Sequence, residues 1–96
     1  MQKPSEPSSL GDSTQQLLTE RGKTHGEFTD HARITTELKA AMERELGWDK
    51  LSPVQCEALD MIAHKIGRIL AGDPNFRDHW DDIAGYARLA ADRCHD

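Results

Sequence analysis

The sequence predicts an all-α protein, a small bundle of about four helices that self-association completes. Three observations lead there. No segment alternates apolar and polar residues over a useful length, so nothing reads as a strand. Apolar residues instead recur at three- and four-residue intervals, and two capping-box signatures, Thr24-x-x-Glu27 and Ser52-x-x-Gln55, precede such stretches. Ninety-six residues make one small domain with a thin core, which is why homo-oligomerisation is expected.

Taken in order, residues 1–11, MQKPSEPSSLG, hold Pro, Ser and Gly with almost nothing to bury and are expected to be a flexible lead to a single helical domain over 12–96. Asp12 or Ser13 is a suitable cap for a first helix that carries Leu17 and Leu18 and stops at Gly22. The second helix starts from Thr24 and runs to Gly47, with Phe28, His31, Ile34, Thr35, Leu38, Ala41, Met42 and Glu45 at helical spacing. Residues 48–51 connect it to a third helix, whose start is marked by Ser52, Pro53 and Gln55 together. Leu59, Ile62, Ala63, Ile66, Ile69 and Leu70 form its core stripe, which ends at Ala71-Gly72-Asp73-Pro74. A fourth helix from about Asp78 to Arg93 carries Phe76, Trp80, Ile83, Ala84, Ala87, Ala90, Ala91 and Cys94 along one side.

Residues 20–28, ERGKTHGEF, contain the Gly-Lys-Thr that closes a phosphate-binding P-loop. The first glycine of that motif belongs at position 17, which is Leu17, and the element upstream reads as helix rather than strand. The stretch is therefore a helix boundary. A weaker anion-binding feature survives, because Arg21, Lys23 and His25 flank two glycines just ahead of a helix N-terminus, where free N–H groups favour negative charge.

Seventeen acidic and 12 basic residues give a net charge of -5 and are intermixed, which argues against a general nucleic-acid binder. Neither a signal segment nor a long apolar run is visible, so the expected setting is cytoplasmic with no membrane contact. Cys56 and Cys94 have no CxxC spacing and read as reduced, packed side chains.

Charged residues cluster on the flanks of the last two helices. Glu57, Asp60, His64, Gly67 and Arg68 share one side of the third; Asp78, Asp81, Asp82 and Gly85 gather on the fourth, with Tyr86 and Arg88 nearby. Three carboxylates so close need positive partners. Lys65 and Arg68 are the structural answer, through interhelical ion pairs; Mg2+ held by Glu57, Asp60, Asp78 and Asp82 is the functional one. Gly67 and Gly85 each cost a helix about 1 kcal/mol relative to Ala. A close helix crossing is the first explanation for them, and approach of a flat ligand the second.

The runs EALDMIAHKIGRILAGDPNFRDHWDDIAGYARLAA, residues 57–91, and HGEFTDHARI, residues 25–34, resemble a family of small helical proteins common in tailed-phage and prophage genomes. Lys65-x-x-Arg68 and Asp78-x-x-x-Asp82-x-x-Gly85-Tyr86 are the positions that carry the likeness. That family is distantly similar to nucleotide-modification-associated and MazG-like all-α pyrophosphohydrolases, which implies a helical oligomer around Mg2+ and a nucleoside triphosphate. MazG-like sites pair an EExxE helix with an ExxD helix. Here Glu57-x-x-Asp60 lacks the doubled Glu, and Asp78-x-x-Asp81 puts Asp in place of Glu.

Three functions follow as expectations. The first is binding of a phosphate-bearing nucleotide without catalysis and with no cofactor, through Arg21, Lys23, His25, Lys65 and Arg68, with Tyr86 against the base; the phage context suggests withholding a host defence signal. Mg2+-dependent nucleotide pyrophosphate hydrolysis is the second. An inhibitor or adaptor of a host protein is the third.

Overall fold

The computed structural model describes residues 5–94, and their side chains from Ser13 onward. They form four α-helices, α1 (Ser5–His25), α2 (Phe28–Glu43), α3 (Pro53–Ala71) and α4 (Arg77–Ala91), with a 3-10 helix, Leu46–Lys50, between α2 and α3. No strand occurs among the described residues. The central helix is α3, against which α4 packs on one side and α2 on the other. Residues 13–20 of α1 are all exposed, so this helix projects from the body, and the molecule measures 66 × 25 × 23 Å.

The third helix forms as its sequence directs. The Ser52 hydroxyl accepts from the Gln55 N–H (3.2 Å) while the Gln55 side chain accepts from the Ser52 N–H (2.9 Å), closing the capping box. Pro53 stands at a position whose N–H would have no intrahelical partner. Ala58, Ala63 and Ile69 are buried, and Leu59, Ile62 and Ile66 are half-buried. Leu70, expected in the stripe, is exposed, because α2 and α4 cover only the other sides of α3.

The first two helices depart from expectation at their ends. The first begins at Ser5 rather than at a cap on Asp12 or Ser13; Pro7 lies in its first turn, where a missing N–H costs nothing. Of the lead expected to be flexible, residues 1–4 lie outside the described residues. The helix also passes through Gly22 to His25 and breaks at Gly26, which takes φ 79° and donates its N–H to the Gly22 carbonyl (3.0 Å). A glycine stop was the right signal, one helical turn too early. As α1 continues, Thr24 is its last turn and not the cap of α2. Its hydroxyl is hydrogen-bonded to the Arg21 carbonyl (3.3 Å) and to His25 Nδ1, and the N-cap of α2 is Glu27, with no side-chain bond closing it. At its far end α2 stops at Glu43, short of Gly47.

Along α2 the buried residues are His31 and Thr35, while Phe28 is 79% exposed at the first position. In α4 the register differs from the apolar stripe by one residue. His79 is buried at 1% exposure, whereas Trp80 is 53% exposed and donates its Nε1–H to the Pro74 carbonyl (2.8 Å). A step of one residue turns a helix by about 100°, so Ala84, Ala87 and Ala91 follow Trp80 to the surface. Cys94, expected to pack, is exposed, and both cysteines are free.

The two mid-helix glycines separate. A Cβ on Gly67 would run into the Thr35 hydroxyl and the His31 ring, so this glycine is the crossing point of α2 and α3. A Cβ on Gly85 would meet nothing within 4 Å, so no helix among the described residues crosses there. Gly67→Ala is therefore expected to lower stability, since overpacking costs about 1–3 kcal/mol and outweighs the helical gain. Gly85→Ala is expected to raise it by about 1 kcal/mol or less. Urea unfolding of both variants checks the contrast, and equal effects would refute the assignment of the crossing to Gly67.

Candidate functional site

The site is built where α1 ends, α2 begins and α3 passes beneath. Gly26 lies against the Ala71 backbone, and Gly72 against Thr24 and Gly26, so two chain segments touch main chain to main chain where a Cβ on either glycine would clash. The Thr24 carbonyl accepts from the Asp73 N–H (3.1 Å) and from His79 Nε2 (3.2 Å). His79 thereby carries its proton on Nε2, and its buried Nδ1 has no hydrogen-bond partner among the described residues. A second histidine ties α2 to α3, as His31 Nε2 donates to the His64 carbonyl (3.2 Å). The His25 ring is stacked edge-on to His79, with centroids 4.5 Å apart.

Above this junction opens a cleft of about 370 Å³. Arg21, Gly22 and His25 come from α1, Gly26 and Glu27 from the break, Phe28 and His31 from α2, and Arg68 from α3, with Leu18 at the edge. Since no side chain caps α2, the N–H groups of its first turn are left for water or a ligand at this mouth.

The cleft is lined by two guanidiniums, Arg21 and Arg68, and one carboxylate, Glu27, although the protein as a whole is acidic. His25 is pushed down to about 4, first by burial and then by its neighbours His79, Arg21, Arg68 and Lys65. Burial also lowers His31, with Arg68 adding to it and the hydrogen bond to His64 opposing it. His64 is lowered by burial, then by Lys39 and Arg68, against the opposing pull of Asp60 and Glu57. Surroundings that disfavour an imidazolium through neighbouring cations favour an anion by the same Coulombic argument.

Of the residues proposed from sequence to hold a ligand, Arg21, His25 and Arg68 share this cleft. Lys23 is exposed and does not line it. Lys65 points to α4, where its ammonium lies 2.9 Å from Asp82 and holds that carboxyl below the usual range, mainly through the hydrogen bond. Tyr86 lies in a separate groove of about 410 Å³ with Pro53, Val54, Glu57, Leu89 and Arg93. The interhelical ion pair expected of Lys65 is present. Arg68, expected beside it, faces the cleft instead, and Asp81 pairs with Arg77 on its own helix (3.2 Å).

The four residues suggested for Mg2+ are not gathered. Asp82 is engaged by Lys65, Glu57 lines the Tyr86 groove, Asp78 is exposed, and one Asp60 carboxylate oxygen is buried without a hydrogen bond. Among the described residues no three His, Cys, Asp or Glu side chains are placed to hold a metal ion. The sequence reading missed Phe28, His31 and His79 as parts of the site. Histidine on an apolar stripe was the available signal: His31 was placed in the core without regard to its ring nitrogens, and His79 was displaced by Trp80.

Residues 9–94 match the family model described as a domain of unknown function (DUF6378), and the chain belongs to that family. No curated protein and no solved structure matches it. No helix among the described residues is long and apolar enough to cross a membrane.

The depressed histidines set the acid limb of stability. Because His25, His31 and His64 are held below their ordinary 6.5, the unfolded chain binds more protons than the folded one as pH falls from about 6.5 to about 4. Stability is full above pH 6.5 and declines through that window. Melting temperatures measured from pH 8 to pH 4 are expected to fall across it, and His25→Gln is expected to flatten the decline; an unchanged slope would show that His25 does not carry it.

Proposed function

We propose that this DUF6378 protein binds a phosphate-bearing nucleotide in the cleft between α1 and α2 and holds it without chemistry. The observation that carries the reading is the convergence of Arg21, His25 and Arg68 on the uncapped start of α2. Two guanidiniums supply forked donors for phosphate oxygens, and the first-turn N–H groups of α2 add backbone donors and the positive end of its dipole. Glu27 forms an acidic lip to the same cleft and would select against a phosphate placed too far toward it. The exposed Phe28 ring beside these donors takes the base-stacking role that sequence reasoning gave to Tyr86; such stacking is worth about 1–3 kcal/mol per base.

Size and charge support a small ligand over a polymer. A cleft of about 370 Å³ falls in the range of about 300–1,000 Å³ typical of small-molecule sites. The net charge of -5 over the whole chain repels a long polyanion, while the local positive field receives one small anion. Binding is put ahead of Mg2+-dependent hydrolysis because Glu57, Asp60, Asp78 and Asp82 lie on separate features and do not converge on the cleft. The phage resemblance of residues 25–34 and 57–91 supplies a biological setting, the withholding of a nucleotide-type defence signal.

Titration calorimetry with linear and cyclic nucleotides, followed by chromatography of the mixture, tests the reading. Arg21→Ala and Arg68→Ala are each expected to weaken binding about 10- to 100-fold, the usual effect of removing a hydrogen bond to a charged group. Phe28→Ala should also weaken it, whereas Lys23→Ala and Tyr86→Ala should leave it within about twofold. Recovered ligand should be intact. Release of pyrophosphate would replace binding by hydrolysis, and absence of binding to the parent protein would leave a protein partner as the reading to pursue.

A further inference from the structure

Among the described residues, no other helix packs on the solvent side of α4. Trp80, Ala84, Ala87 and Ala91 follow one another at intervals of four, three and four residues and are all exposed. Three of them, with Arg88, line a groove of about 360 Å³, the four-residue hole that a facing helix fills with a side chain. Beside this seam stand Asp81 and Arg88, whose charged groups are 60% and 76% exposed. Arg77 and Asp92 continue the pattern outward, so that Arg, Asp, Arg, Asp at 77, 81, 88 and 92 changes sign on reflection through the midpoint between Ala84 and Gly85.

The geometry points to a second copy of this chain as the occupant, with two α4 helices packed antiparallel about a two-fold axis. In such an interface, whatever residue i touches on the partner, the partner's copy of i touches in return. Asp81 then meets the partner's Arg88, and Arg88 the partner's Asp81, so each contact is made twice. A parallel arrangement would set Asp81 against Asp81 and Arg88 against Arg88. The seam pairs about a two-fold one residue further along, between Gly85 and Tyr86: Trp80 then faces Ala91 of the partner subunit and Ala84 faces its Ala87, so the one large side chain of the seam meets a small one, and Asp81 stands about 3 Å along the axis from level with the partner's Arg88, within reach of that long side chain. Small side chains at the centre let the helices approach closely, and Gly85 beside them, with open space where a Cβ would be, removes one further obstacle.

The existing contacts do not oppose this exchange. Asp81 pairs with Arg77 and Arg88 with Asp92 at intervals of four residues on an exposed helix. Exposed pairs of this kind contribute little, and the same groups can serve an interface without a large loss. A partner of different sequence has no reason to match a charge pattern that is antisymmetric about its own centre; a second copy matches it by construction. The cleft between α1 and α2 lies elsewhere, so the inference does not rest on the nucleotide reading.

Sedimentation equilibrium of the whole chain tests it. The parent protein is expected to pass from its 10.8 kDa monomer mass to twice that value as concentration rises. Asp81→Arg alone and Arg88→Asp alone should each weaken self-association about tenfold or more, since two attractive contacts become repulsive. An equimolar mixture of the two variants should recover it as a heterodimer, because Arg at 81 in one chain then meets Asp at 88 in the other. The double variant Asp81→Arg/Arg88→Asp has the net charge of the parent and should recover the homodimer. Ala87→Glu should abolish the dimer while far-UV circular dichroism stays unchanged. A parent that stays monomeric at all concentrations would overturn the inference. Single charge variants that dimerise as the parent does, or a mixture that fails to recover, would overturn it equally.

Discussion

Much of this architecture hangs on one backbone carbonyl, that of Thr24. It receives the Asp73 N–H from the α3–α4 connection and the His79 Nε2–H from α4, so three elements meet on a single oxygen. Each such bond is worth about 1 kcal/mol net, but the geometry it imposes matters more. The two connections must approach main chain to main chain, which requires Gly26 and Gly72, and Gly26 must take a left-handed φ to turn α1 into α2. That turn aims the start of α2 at the cleft and brings Arg21 and His25 above Arg68.

Histidine does in this core what a larger protein leaves to aliphatic side chains. Only Ala58, Ala63 and Ile69 are buried apolar residues among those described, and His31, Thr35 and His79 are buried beside them. A ring nitrogen that donates to a carbonyl of another helix fixes register as well as filling space, as His31 does toward α3 and His79 toward α1. Such a core depends on the neutral imidazole. The same desolvation that depresses His25, His31 and His64 makes the packing sensitive to acid and leaves the arginines as the charges available to an incoming anion.

What could be read in the sequence was whatever depended on a few adjacent residues. The Ser52-Pro53-Gln55 start is local and formed as written. Thr24-x-x-Glu27 is equally local in form, yet α1 continues past Gly22, and the Thr24 hydroxyl is taken by the Arg21 carbonyl and by His25. Hydropathy put Trp80 inside α4; the carbonyl of Thr24, 55 residues away, put His79 there. That Arg21 and His25 share one place was legible because they stand one turn apart, and both line the cleft; Lys65 was legible as a partner for the α4 acids because one charge was owed. Which aromatic ring stood near them was not legible. Tyr86 and Phe28 are separated by the packing of α2 and α4 on different sides of α3, and only the tertiary arrangement assigns one to the cleft.

The two faces that remain open have different chemistry, and the difference follows from how charge is distributed. At the cleft, Arg21 and Arg68 come from different helices with one acidic residue, Glu27, at the lip, an excess of one positive charge that the proposed phosphate ligand would offset. On the Trp80 side of α4, Asp81 and Asp92 each have an arginine four residues away, Arg77 and Arg88, so these pairs balance and can be satisfied by rearrangement. An imbalanced site fits the small anion proposed for it, and a balanced, antisymmetric one fits the second copy proposed for it. Because α3 lies between α2 and α4, occupation of one face leaves the other accessible, and a dimer formed through α4 would present two clefts at a distance from its axis.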